Sequence, residues 1–251
     1  MKLENRCLVP ADLDSTWELV TDIPRVAACV PGIKDVAPDG ENRFRASLAG
    51  GSTPRRVYEL WAQGSKLDWQ LVELLFGDER CVPPDHPDSN YGMVKRALLD
   101  HLTRLPHVHR MAGENPKPEE AAIQYERVLQ RLMGEGEGLD VALLGMGGDG
   151  HTASLFPQSP VLEETERRCV ATQAPDGAPR LTLTFAELRE AERIMFLVVG
   201  AEKAGILREV LEGDFDPLQY PSQTLLRDNE LETHLFLDEA AAEPLESEYE
   251  A

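Results

Sequence analysis

Short apolar runs, each closing on glycine or a polar side chain, alternate along this chain with amphipathic stretches; they fall at 44–48, 71–76, 141–144, 181–184, 194–199 and 233–237. Runs of this length are strands rather than helices. Most are apolar at consecutive positions, as strands are when helices cover both faces of a parallel sheet. Between them the apolar spacing becomes helical and predicts helices over 54–62, 89–102, 118–133 and 202–211. The end signals agree. Thr53 is placed to cap a helix opened by Pro54, with Gly64 just past its end. Pro118 opens another, with Glu119 and Glu120 where the helix dipole favours acids. The alternation predicts an α/β architecture.

The 251 residues, 42% of them hydrophobic, make one large domain or two small ones and exclude wholesale disorder. No internal repeat or low-complexity tract interrupts them. With 45 acidic against 25 basic side chains, the formal charge of −20 repels phosphate backbones and anionic lipid. Neither a nucleic acid nor a membrane surface is therefore an expected partner. The longest apolar run, 194–199, is far short of the roughly 20 residues that span a bilayer. The opening MKLENRCLVPADLD has no signal-peptide core. A soluble cytoplasmic protein is expected, a monomer or a weak homo-oligomer. Cys7, Cys29, Cys81 and Cys169 have neither metal-site nor disulfide-framework spacing and read as reduced packing residues. Asp238, Glu239, Glu243, Glu246, Glu248 and Glu250 make a base-free acidic end, expected to be frayed and solvated.

Four stretches could carry chemistry. Gly50-Gly51-Ser52-Thr53-Pro54 lies between a predicted strand and helix, where glycines admit a ligand close to the backbone and helix N–H groups favour a phosphate. A plain capped turn fits the same letters. Leu144-Gly145-Met146-Gly147-Gly148-Asp149-Gly150-His151 also follows a strand. It satisfies the dinucleotide pattern GxGxxG, but Pro157 leaves no room for the long helix that fingerprint needs. What remains is a His and an Asp two residues apart at the sheet edge where α/β proteins hold ligands; such a histidine can take a proton from water while the carboxylate orients it. A turn Asp beside a surface His is the plainer alternative. Gly77-Asp78-Glu79-Arg80 puts three charges where a strand surfaces, either as a ligand rim or as a solvated ion pair. Arg180 and Lys203 are single bases near strand ends in an acidic protein. Separately they read as surface charges as readily as ligands; together with the glycine turns they would form a positive pocket for a phosphorylated metabolite.

GGSTP, FGDERCVPPDHPDSNY, LDVALLGMGGDGHTASLFP, RLTLT and VVGAEKA, in this order, closely resemble the 6-phosphogluconolactonases over about residues 44–242. The resemblance implies hydrolysis of 6-phosphogluconolactone to 6-phosphogluconate in the oxidative pentose phosphate pathway, with no metal and no cofactor. It implies a doubly wound, mostly parallel α/β sheet shared with glucosamine-6-phosphate deaminases and ribose-5-phosphate isomerases. Those deaminases carry Asn-Glu-Pro soon after their DGH; here the stretch reads Ser154-Leu155-Phe156-Pro157, without the ring-opening carboxylate, so the lactonase is favoured. Carried over, the general base falls on His151, with Asp149 beside it. The phosphate would meet Gly50, Gly51, Ser52, Thr53, Lys203 and Arg180. Arg80 matches an arginine that lines the site, touching substrate or positioning the histidine. The oxyanion would find donors in the N–H groups of turn 147–150 or in Arg80.

The first 45 residues resemble something else, the opening of a START-like (SRPBCC) domain of the kind associated with carbon monoxide dehydrogenase. The markers are Val9-Pro10-Ala11, Trp17, Asp22-Ile23-Pro24 and Cys29-Val30-Pro31-Gly32. Such a domain needs roughly a hundred residues more. An incomplete head over 1–45, a lactonase-like domain over 46–242 and an acidic tail over 243–251 are therefore expected.

Overall fold

The computed structural model describes residues 43–64, 67–134 and 137–246. The expectations for the head therefore fall almost entirely outside the described residues, as does the tail beyond residue 246. Six parallel strands form the main sheet in the order β4 (His107–Val108), β2 (Val72–Phe76), β1 (Phe44–Leu48), β5 (Val141–Gly145), β8 (Ile194–Val198), β9 (Thr233–Leu237). From β1 the chain winds outward to β2 and β4, then returns to β5 and winds the other way. The sheet is doubly wound, and its direction reverses between β1 and β5. At such a reversal neighbouring crossovers leave in opposite directions and open a crevice at the strands' C-terminal ends.

Both faces are covered, which is why the strands read as continuous apolar runs. Along β5, Ala142 and Leu144 enter one core cluster while Val141 and Leu143 enter the other. The first cluster includes Ala121, Ala122, Tyr125 and Leu129 of α3 (Pro118–Leu132) and Leu207, Val210 and Leu211 of α5 (Ala201–Glu212). The second takes Val57 and Tyr58 of α1 (Ser52–Gly64) and Val94 of α2 (Asn90–Ala97). Among the described residues no helix is long and apolar enough to cross a membrane.

Several boundaries differ from the sequence expectations. Thr53 is not the cap of α1. The helix starts at Ser52, the Arg55 N–H closes its first turn on the Gly51 carbonyl, and Gly64 is its last residue. The predicted 89–102 helix divides: Ser89 caps α2, but Leu98 leaves helical geometry (φ −130°, ψ −63°) before a short 3₁₀ turn at Leu99–His101. The 181–184 run is not part of the parallel sheet. It lies within β7 (Pro179–Leu183), which pairs antiparallel with β3 (Asp78–Arg80) and β6 (Cys169–Gln173) in a separate three-stranded sheet, while Thr184 caps the short helix α4 (Phe185–Leu188). The acidic end is not wholly solvated. Asp238 is buried, caps α6 (Glu239–Ala242) and also accepts the Gly200 N–H, and Glu246 pairs with Arg208. Cys169 packs in the core as a free thiol, pushed well above its usual range by burial; Cys81 is also free.

Candidate active site

One cleft of about 190 Å³ opens at the reversal between β1 and β5. Gly50, Gly51, Ser52 and Thr53 line it from the β1–α1 corner, Gly145, Gly147 and His151 from the β5 corner, and Lys203 from the start of α5. Arg80 and Asp78 enter from β3. Asp149 stands behind His151. Arg180 is the exception among the residues singled out. It pairs across from Arg80 in the β3–β7 ladder, with Nη1 donating to the Pro179 carbonyl, and does not line the cleft.

At the first corner, glycine is required at position 50. A Cβ there would lie 2.0 Å from Oδ1 of the buried Asn90. Gly51 has φ +103°, the left-handed region that glycine enters at no steric cost. The N–H groups of Ser52 and Thr53 precede any partner within the helix, and Pro54 has none to offer. The positive end of α1 thus faces the cleft, and Lys203, the third residue of α5, lines it as well. The Lys203 ammonium has no hydrogen bond or ion pair among the described residues. In a molecule of charge −20, this ammonium beside the N-terminus of α1 is a local positive spot that can hold an anion.

At the second corner, the turn closes on itself. Gly147 N–H donates to the His151 carbonyl (2.8 Å) and Gly150 N–H to that of Gly147 (3.2 Å). Gly150 has φ +82°, and its own carbonyl accepts from Ser222 N–H and Oγ. Two of the backbone groups considered as oxyanion donors are therefore already engaged. The imidazole sits against Gly147 on one side and tilts against Phe156, ring centroids 4.7 Å apart, on the other. Its Nδ1 is 2.5 Å from Asp149 Oδ1. This hydrogen bond holds the Asp149 carboxyl at about 2, well below its usual range, against the opposing effect of burial. An ionised carboxylate only accepts, so Nδ1 carries the hydrogen of the neutral ring. The lone pair is left on Nε2, which has no partner among the described residues.

The DER segment is not the solvated ion pair that its three charges also allowed. Asp78 and Glu79 are 8% and 2% exposed. Glu79 accepts the N–H groups of Arg80, Asn90 and Tyr91 and the Ser89 hydroxyl; burial raises its carboxyl above the usual range, with the three N–H donors opposing. Arg80 is anchored by Nη1 on the Asp88 carbonyl (2.7 Å), and its buried Nε has no partner among the described residues. Arg80 thus lines the cleft with one nitrogen anchored and another unsatisfied, and its guanidinium can donate to a bound group. The sequence reading held Asp78 only within the DER segment, without a role of its own, and did not single out Ala153 in the lining or Asn90 beside Gly50. Asp78 was visible as the first letter of DER, and Asn90 as a polar residue beside a helix cap.

The family model for glucosamine-6-phosphate isomerases/6-phosphogluconolactonase matches residues 26–235, beginning upstream of the motifs. A 6-phosphogluconolactonase of Nostoc is 40% identical over 83% of this chain and 87% of its own. One of Synechocystis is 38% identical over 89% and 93%. The crystal structure of 6-phosphogluconolactonase from Thermotoga maritima superposes with a TM-score of 0.77 at 27% identity, covering 93% of this chain and 99% of that one. The chain belongs to the glucosamine-6-phosphate isomerase/6-phosphogluconolactonase family.

Proposed function

We propose that this chain hydrolyses 6-phospho-D-glucono-1,5-lactone to 6-phosphogluconate, with His151 as general base. The carrying observation is one cleft in which the Lys203 ammonium and the N-terminus of α1 share a lining with an imidazole whose Nδ1 is tied to Asp149. The phosphate is held by Lys203 and by the N–H groups of Ser52 and Thr53, with Gly50 and Gly51 letting it approach the backbone. Arg180, outside the cleft, adds only a second positive charge beside Arg80. Nε2 takes a proton from water as the water oxygen bonds to the lactone carbonyl carbon. The developing oxyanion meets the Arg80 guanidinium. Collapse breaks the bond from that carbon to the ring oxygen, which takes the proton back from the imidazolium, and the carboxylic acid ionises. Asp149 keeps the ring in the productive tautomer and stabilises its charged form.

Lactonase chemistry, rather than the ring-opening of the sibling enzymes, is supported by the segment after His151. Leu155 is fully buried, Phe156 packs on the imidazole, and residues 152–157 contain no carboxylate. The test is lactone disappearance measured above its spontaneous rate. His151→Ala is expected to lower kcat by about 100-fold or more; a variant with wild-type turnover would remove His151 from the mechanism.

A further inference from the structure

We infer that Asn90 and Ser154 are positioning residues which, through the Asp78 carboxylate between them, hold the anion loop and the hydrolytic turn at a set separation. The inference rests on the lactonase reading. In that substrate the phosphate and the carbonyl carbon are joined through a ring, so the two corners need a matching distance. The sheet does not supply it. The β1–β5 ladder pairs Ala46 with Val141 and Ser47 with Ala142, and that pairing stops three residues short of both Gly50 and Gly145.

Beneath the cleft three buried side chains span the gap. Asn90, 2% exposed, lies against Gly50 so closely that a Cβ there would overlap its amide. Asn90 Nδ2 donates to the Asp78 carbonyl (2.9 Å) and to Asp78 Oδ1 (3.0 Å). Asp78 Oδ2 accepts from Ser154 Oγ at 2.7 Å. Ser154, three residues after His151, is pinned a second time, its N–H donating to Thr182 Oγ1 across the β3–β7 ladder from Asp78. Between them Ala153 has φ +48°, a left-handed conformation that a non-glycine residue keeps only where its surroundings enforce it. Ser154, anchored through both N–H and hydroxyl, is such an enforcement. At the other end the Asn90 N–H is tied to Glu79 Oε1 (2.7 Å) at the capped start of α2. Polar links of this kind are stiff because a buried carboxylate that loses a donor pays heavily for it.

The experiment compares Asn90→Ala, Ser154→Ala and the double variant with wild type. It measures kcat and KM on 6-phosphogluconolactone, the Ki of inorganic phosphate as a competitive inhibitor, and the melting temperature. Each single variant is expected to lower kcat about tenfold or more, because a small misplacement of the reacting group is costly. Phosphate Ki should stay within about threefold, since each corner remains intact and only their separation relaxes. The double variant should lose no more than about threefold beyond the worse single one, because both substitutions cut the same link. Losses that multiply, or a folded Ser154→Ala protein with kcat within about threefold of wild type, overturn the inference. A purely structural role would lower the melting temperature and leave kcat per folded molecule unchanged, and that result overturns it as well. Should Asn90→Ala fail to fold, Ser154→Ala, which removes a single oxygen, decides through its kcat. A wild-type protein that does not hydrolyse the lactone would instead overturn the function on which the inference stands.

Discussion

Gly147→Ala tests the hydrolytic turn with one methyl group. A Cβ at position 147 would lie 2.1 Å from His151 Nδ1, 2.2 Å from its Cε1 and 2.7 Å from Asp149 Oδ1, where ordinary contact begins at 3.4 Å. The imidazole must therefore withdraw by about 1.3 Å, taking its carboxylate partner with it. A displacement of about 1 Å at a reacting group costs on the order of 100-fold in rate, or about 2.7 kcal/mol of barrier. The His151 and Asp149 side chains are 29% and 43% exposed, so the ring has room to swing outward. The fold should then lose only about 1 kcal/mol or less. Initial rates of lactone loss at fixed pH, corrected for spontaneous hydrolysis, give kcat and KM. The expected result is a kcat about 100-fold lower with KM within about threefold, because the anion loop is untouched. Gly148→Ala is the matched control: a Cβ there meets nothing within 4 Å, and Gly148 is not among the positive-φ glycines. A Gly147→Ala enzyme turning over within about threefold of wild type would refute the claim that this seat sets the position of the base.

Lys203→Ala should raise KM about tenfold or more with little change in kcat, since the phosphate is gripped equally in ground and transition states; unchanged KM counts against the ammonium as phosphate ligand. Gly50→Ala drives a methyl into the Asn90 amide and should cost about 2–3 kcal/mol by overpacking, lowering the melting temperature by about 5–10 °C; an unshifted melting curve contradicts the close approach. Glu187 offers a pH test. Burial pushes its carboxyl from 4.5 up to about 6, with the Arg168 guanidinium opposing. A carboxyl raised on folding holds a proton that the unfolded chain has already released, so stability falls as pH rises from about 4.5 to 6, by about 2 kcal/mol at most. Glu187→Gln should flatten that part of the unfolding curve measured between pH 4 and 7; an identical slope in both proteins would exclude Glu187 as its source.

Much of the architecture was legible because it rests on local rules. Alternating short apolar runs and amphipathic stretches located five of the six runs as strands of the parallel sheet, within a residue or so of their ends. Both faces of that sheet are covered, and a strand buried on both faces favours apolar side chains at consecutive positions. The run at 181–184 misled for the same reason. β7 is buried over Leu181–Leu183 without belonging to the parallel sheet, and composition does not record which partner a strand pairs with. The break at Leu98 carries no glycine or proline to announce it. Strand β4, two residues long, is too short to give a periodic signal.

The candidate site divides along the same line. Glycine at 50, 51, 147 and 150 marked two turns, since such close packing or left-handed backbone excludes other side chains. The spacing of Asp149 and His151 put both on one tight turn within reach of each other, and the folded turn joins them by a hydrogen bond. That the two turns face one cleft, that Lys203 joins them while Arg180 stands outside, and that Asp78, Asn90 and Ser154 connect them from below depended on strand order and on pairings across 76 residues of chain. Short-range chemistry is written in neighbouring letters; the distance between two loops is set by everything packed beneath them, and only the folded molecule contains it.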